Sequence, residues 1–138
     1  MYAGAPIYWA SKLQTQIALS TAESELLALS TASRFAKSLM YLLEEIKEHG
    51  LDVTTVPTIH CNAWEDNSAA LAIANMPKMR PRTRHINCIY HHFRSEYANK
   101  RLKINVLPIG TKDQLGDTFT KQADKETFLR HRMVMMGW

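Results

Sequence analysis

Cysteine is nearly absent. Cys61 and Cys88 are the only two in 138 residues, so no disulfide framework is implied, and both read as reduced thiols of an intracellular protein. Long apolar runs are missing too: none approaches the ~18 residues that a membrane span requires. The first residues do not combine a basic start, an apolar stretch and a small-residue cleavage site, so the sequence predicts a product that is not secreted. Internal repeats and low-complexity segments are lacking. What remains is ordinary for one globular domain with a real core, with 46% hydrophobic and 22% charged residues. A formal charge of +4 and a pI of about 9.2 weakly favour an anionic partner.

Periodicity predicts an α/β pattern. PIYWASK, residues 6–12, alternates in part and reads as a strand. Beyond Ser20, apolar residues recur at three- and four-residue spacing: Leu26, Leu29, Ala32, Phe35, Ala36, Leu39, Leu42, Leu43 and Ile46. This predicts a helix over about 21–48, stopped at His49-Gly50 and long enough to allow a break near Ser30–Arg34. TIHCNAW, residues 58–64, reads as a second strand, with Ile59 and Cys61 on one face, and EDNSAALAIAN turns into a short helix. Residues 86–98 predict another amphipathic helix and LKINVLPI, residues 102–109, a third strand. Thr111 with Gln114 resembles a capping box, and Asp124 caps a last helix ending near Met136. At least one parallel strand pair across a helical crossover is expected. Trp9 and Trp64 read as core residues, and Met133, Met135, Met136 and Trp138 as a packed or frayed terminus.

The acidic residues raise the functional question. Ser20 and Glu23 have capping-box spacing: Ser20 accepts from the Glu23 amide and Glu23 reaches back to the Ser20 amide. Glu25 has no such duty. It is a surface glutamate favoured by the helix dipole, or it is a functional group. Asp66 has the same two readings. Asp66, Asn67 or Ser68 can cap the short helix, yet a carboxylate at the C-terminal end of an α/β strand also lines the usual ligand crevice. Asp113 suits a helix start; Asp117, beside Leu115 and Phe119, is harder to explain as a cap. Converging carboxylates hold hard cations such as Mg²⁺, and two such ions ~3.5–4 Å apart stabilise the attacking and leaving oxygens of phosphodiester cleavage.

Four segments carry a resemblance: APIYWASKLQTQIALSTAESELLALSTA, EDNSAALAIAN, PKMRPRTRHINCIYHHFR and KDQLGDTFTK, over residues 4–121 in order. They resemble the ribonuclease H domain of copia-type LTR retrotransposon polyproteins. The resemblance implies one ribonuclease H-like domain over 1–138, a mixed sheet flanked by helices, with 122–138 as a C-terminal helix and tail. It implies hydrolysis of the RNA strand of an RNA–DNA hybrid by two Mg²⁺ ions. Carried over, Glu25, Asp66 and Asp117 are the catalytic, metal-binding acids, with Asp113 the rival of Asp117. Glu23 would then cap the helix while Glu25 faces the metals. The implied partners are the hybrid and the upstream reverse transcriptase region, in cytoplasm, virus-like particle or nucleus, and not a membrane.

The family's first strand, most of its second and its first catalytic aspartate have no match here. The expectation is a truncated domain of low stability, with weak metal binding and little or no hydrolysis by the isolated chain. A mobile histidine that some ribonucleases H carry before the last aspartate also has no match in GTKDQLGD. A nucleic-acid-binding remnant without catalysis and a non-functional translation product are the alternatives.

Residues 77–94 carry Lys78, Arg80, Arg82, Arg84 and Arg94 without one acid. They read as a solvated face or as a grip on phosphates, and the resemblance favours the grip. His85, His91 and His92 lack cysteine partners at zinc spacing, so a metal site there is not expected.

Overall fold

The computed structural model describes residues 1–2, 4–53, 58–75 and 103–138. Two compact units divide the chain: Ala18–Pro108, and Met1–Ile17 together with Ile109–Trp138. The predicted helix at 86–98, the basic connector and His85, Cys88, His91 and His92 lie outside the described residues.

In the first unit, α1 runs unbroken over Thr21–Glu48. The break near Ser30–Arg34 that this length allows does not occur. The hydroxyls there turn back onto the helix instead of competing with its ladder: Thr31 donates to the Leu27 carbonyl at 2.9 Å and Ser33 to that of Leu29 at 2.8 Å. Ser20 starts the helix by accepting from the Glu23 amide at 3.2 Å. Glu23 reaches back one residue further than a capping box predicts, accepting from the Leu19 amide at 2.7 Å. At the other end Gly50, at φ +84°, bonds to the Lys47 carbonyl while Leu51 bonds to that of Ile46. Those two bonds are the paired closure that a left-handed glycine allows, as the sequence predicted.

β1 (His60–Glu65) and β2 (Lys103–Pro108) pair in parallel, with Cys61 opposite Ile104, Ala63 opposite Val106 and Glu65 opposite Pro108. Between them in sequence, α2 spans Ser68–Ala74 and is capped by Asn67, whose side chain accepts from the Ala69 and Ala70 amides at 3.0 and 3.1 Å. Of the three candidate caps, then, the middle one is used. Strand alternation sends Ile59, Cys61, Ala63 and Glu65 toward α1 and α2, and His60, Asn62 and Trp64 away. On that outer face the Asn105 amide donates to the Asn62 carbonyl oxygen at 3.0 Å.

The core fixes the direction of α1. Leu26 packs with Ala70, Leu29 with Val106, and Met40 with Ile59 and Ile104. The start of α1 therefore meets α2 and the end of β2, and its later turns meet the strand beginnings. α1 runs antiparallel to both strands, which brings its first turn to their C-terminal edge.

In the second unit, α3 spans Lys125–Met136 and Asp124 caps it as predicted, accepting from the Thr127 amide at 2.9 Å. The Thr111–Gln114 capping box is not formed. Residues Thr111–Asp113 and Leu115–Phe119 make two 3-10 turns, neither with a side-chain cap. The strand expected at 6–12 is not formed either. Backbone N–H and C=O groups make a strand only against a paired strand, and among the described residues none is paired with this segment, although Ser11 donates to the Phe119 carbonyl at 3.4 Å. Trp9 at 68% and Trp64 at 49% exposure are not core residues, and Met133, Met136 and Trp138 are exposed as well. Arg132 lies over the Trp138 ring, 5.1 Å from its centre.

Candidate acidic site

The antiparallel course of α1 decides where Glu25 goes. It precedes buried Leu26 and so sits at the edge where β1 ends in Glu65 and Asp66. Glu25 and Asp66 are half-buried, and Glu65 is buried at 5% exposure. The Glu65 carboxyl is held above its ordinary range, first by burial and then by the charges of Glu25 and Asp66. The Asn67 amide, donating to Glu65 Oε1 at 3.0 Å, opposes that rise. Asp66 is the chain neighbour of Glu65, whereas Glu25 comes from another element and reaches this edge through the course of α1.

Glu65 escaped the reading of the sequence, although a signal for it was present. Extending the inward parity of Ile59 and Cys61 along the strand lands on Ala63 and then Glu65. An acid at an inward position of a core strand needs a reason beyond solvation.

Asp113 and Asp117 belong to the other unit. The Asp113 carboxylate pairs with Arg130 at 3.2 Å and its side chain is 62% exposed. Asp117 is more sheltered, and both of its carboxylate oxygens lie 2.9 Å from the Lys121 ammonium. Between those turns and α3 stands His131, buried at 2% exposure. Its Nε2 lies 2.9 Å from the Lys112 carbonyl oxygen and its Nδ1 2.5 Å from the Thr118 hydroxyl. Arg130 also donates to the Lys112 carbonyl.

Carboxylate oxygen suits a hard cation such as Mg²⁺. Among the described residues, however, no three His, Cys, Asp or Glu side chains are grouped so as to hold a metal ion. Glu25, Glu65 and Asp66 stand at one edge of the sheet as acidic neighbours, and the Glu65 carboxyl among them is held above its ordinary range.

The chain is 32% identical over 123 residues to the Retrovirus-related Pol polyprotein from transposon RE1 of Arabidopsis thaliana, a match covering 89% of this chain and 8% of that polyprotein. Its relatives are retrotransposon Pol polyproteins. A second, from transposon RE2 of the same plant, is 30% identical over 123 residues, and one from transposon TNT 1-94 of Nicotiana tabacum is 32% identical over 127. The TNT 1-94 match covers 92% of this chain and 9% of the relative, so the chain spans less than a tenth of the length of these curated relatives. No family model and no solved structure matches it. No described helix is long and apolar enough to cross a membrane. The candidate phosphate grip, Lys78, Arg80, Arg82, Arg84 and Arg94, lies outside the described residues.

Proposed function

We propose that this chain is the ribonuclease H part of a retrotransposon Pol protein. Its fold is a ribonuclease H-like mixed sheet flanked by helices, and its substrate the RNA strand of an RNA–DNA hybrid. One observation carries the reading: the antiparallel packing of α1 brings helix-borne Glu25 to the C-terminal edge of the parallel pair, where Glu65 ends β1 and Asp66 follows it. The similarity to Pol polyproteins over 89% of the chain supports it. Glu25 and Asp66 would hold Mg²⁺, which when bound activates water and stabilises the leaving oxygen. The resemblance gives Asp117 the remaining metal-binding role. The basic residues 78–94 would grip hybrid phosphates, and the reverse transcriptase region of the same polyprotein would be the chain's neighbour.

A second reading keeps the nucleic-acid grip and drops catalysis. It is favoured by the ammonium of Lys121, which faces both oxygens of Asp117 where a metal ion would need them.

Mn²⁺ titration followed by paramagnetic NMR broadening tests the first reading. Broadening centred on Glu25 and Asp66, lost in Asp66→Asn, is the expected result, and its absence would sink the metal reading. The isolated chain, in which the first acid of the resemblance has no match, is expected to cut a labelled hybrid little or not at all in Mg²⁺. Turnover that Asp66→Asn abolishes would overturn that expectation and favour catalysis over the second reading.

A further inference from the structure

His131 is the most buried polar residue described, and the proposed chemistry does not use it. Its two ring nitrogens have different partners. The Lys112 carbonyl can only accept, so Nε2 carries the proton, and in the neutral ring Nδ1 accepts from the Thr118 hydroxyl. The two partners bracket a short stretch of chain. Lys112 immediately precedes Asp113, and Thr118 immediately follows Asp117. One imidazole therefore ties both ends of the segment that carries the two rival aspartates.

The segment is also tied to α3 by Arg130, at the Lys112 carbonyl and the Asp113 carboxylate, both at the first end of the segment. Its two 3-10 turns lack side-chain caps, and 3-10 hydrogen bonds are poorly aligned. The element behind His131 is better anchored: α3 has Asp124 at its start and Gly137, at φ +77°, closing its end on the Met133 carbonyl at 2.8 Å.

The geometry points to His131 as the positioning residue for Asp117. Its ring transfers the order of α3 to the Asp113–Asp117 turns through one bond at each end. The functional weight of this role rests on the nuclease reading, through Asp117; the bridge itself does not.

Amide hydrogen exchange on the full chain, without metal or hybrid, tests it. His131→Phe keeps the ring's bulk and removes both bonds. Losing a bond worth ~1.4 kcal/mol speeds exchange about tenfold, so the amides of Asp113 and Gln114 at one end and of Asp117, Thr120 and Lys121 at the other are expected to exchange about that much faster. The α1 amides should keep their protection. Two conservative variants then separate the arms. The amide nitrogen of His131→Gln falls where Nε2 was and restores the Lys112 end. The amide oxygen of His131→Asn falls where Nδ1 was and restores the Thr118 end. The Asp117 carboxyl carbon resonance should move in the Phe and Gln variants and return in Asn, a pattern that loss of packing does not produce.

Unchanged protection in His131→Phe, or equal loss at both ends in Gln and Asn, overturns the proposal. If His131→Phe loses α1 protection as well, Thr118→Val decides, since it deletes one bond and keeps the shape. Faster exchange confined to 117–121 supports the role, and wild-type exchange there refutes it. Failure of Mn²⁺ to act at Glu25 and Asp66 would defeat the nuclease reading and leave these exchange results as they stand.

Discussion

Glu65 shows how one carboxyl reports on its neighbours. Its proton is held more tightly in the folded chain than in the unfolded one, because burial and the charges of Glu25 and Asp66 disfavour the anion. The folded state therefore binds more protons than the unfolded state just above the ordinary glutamate range, and stability falls as pH rises through that window. Glu65→Gln keeps an oxygen for the Asn67 amide and removes the ionisation. The variant is expected to match the wild type at about pH 4, near the ordinary glutamate value, and to be the more stable by about pH 7. Urea unfolding across that range checks it, and parallel curves for the two proteins would show that Glu65 does not titrate differently on folding. At this scale the sequence was legible for Ser20, Asp124 and Gly50, whose partners lie within five residues. It was not legible for Glu65, whose surroundings come from another element.

Among the elements, α1 shows the limit of periodicity. The expected stripe included Ala32, Phe35, Leu39, Leu42 and Ile46. The seam against the sheet and α2 keeps Leu26, Leu29, Ala36 and Leu43 of the expected residues and adds half-buried Ser33 and buried Met40, with spacings of three and four alternating. Two adjacent stripes of this helix are apolar, so pattern alone does not choose between them. Burial chooses: Met40 packs with Ile59 and Ile104, while Leu42 is 51% exposed. Met40→Ala is expected to cost about 2–5 kcal/mol, as a large-to-small change in a core. Leu42→Ala should stay within about 0.5 kcal/mol. Denaturant midpoints measure both, and a larger loss at Leu42 would return the seam to the expected stripe. The strands were easier to read. Residues 59–65 and 104–106 keep inward alternation against a partner, whereas residues 6–12 have the composition of a strand without a described strand paired to them.

For the molecule as a whole, the partner is argued from charge. The chain carries +4 overall, and five of its basic residues fall within 78–94. If Arg80, Arg82 and Arg84 each neutralise a phosphate, replacing all three by Ala lowers the slope of log affinity against log salt by up to roughly 3. Binding of an RNA–DNA hybrid at several salt concentrations measures this, and an unchanged slope would remove the connector from the interface. The same measurement separates a grip from a solvated loop, because phosphate contacts release counterions and solvated arginines do not.

What the sequence by itself determined is local: the caps at Ser20 and Asp124, the glycine stop after His49, and the alternation of two strands that pair in parallel. Each depends on hydrogen bonds or side-chain parity within a few residues, which chain order specifies. Tertiary structure alone decided which apolar residues of α1 are buried, that Glu25 comes to the strand edge of Glu65 and Asp66, and that His131 reaches partners 13 and 19 residues away. These follow from the antiparallel course of α1 over the strands and from the anchoring of α3. Burial and electrostatic coupling act through space, so the residues they join need share no pattern along the chain.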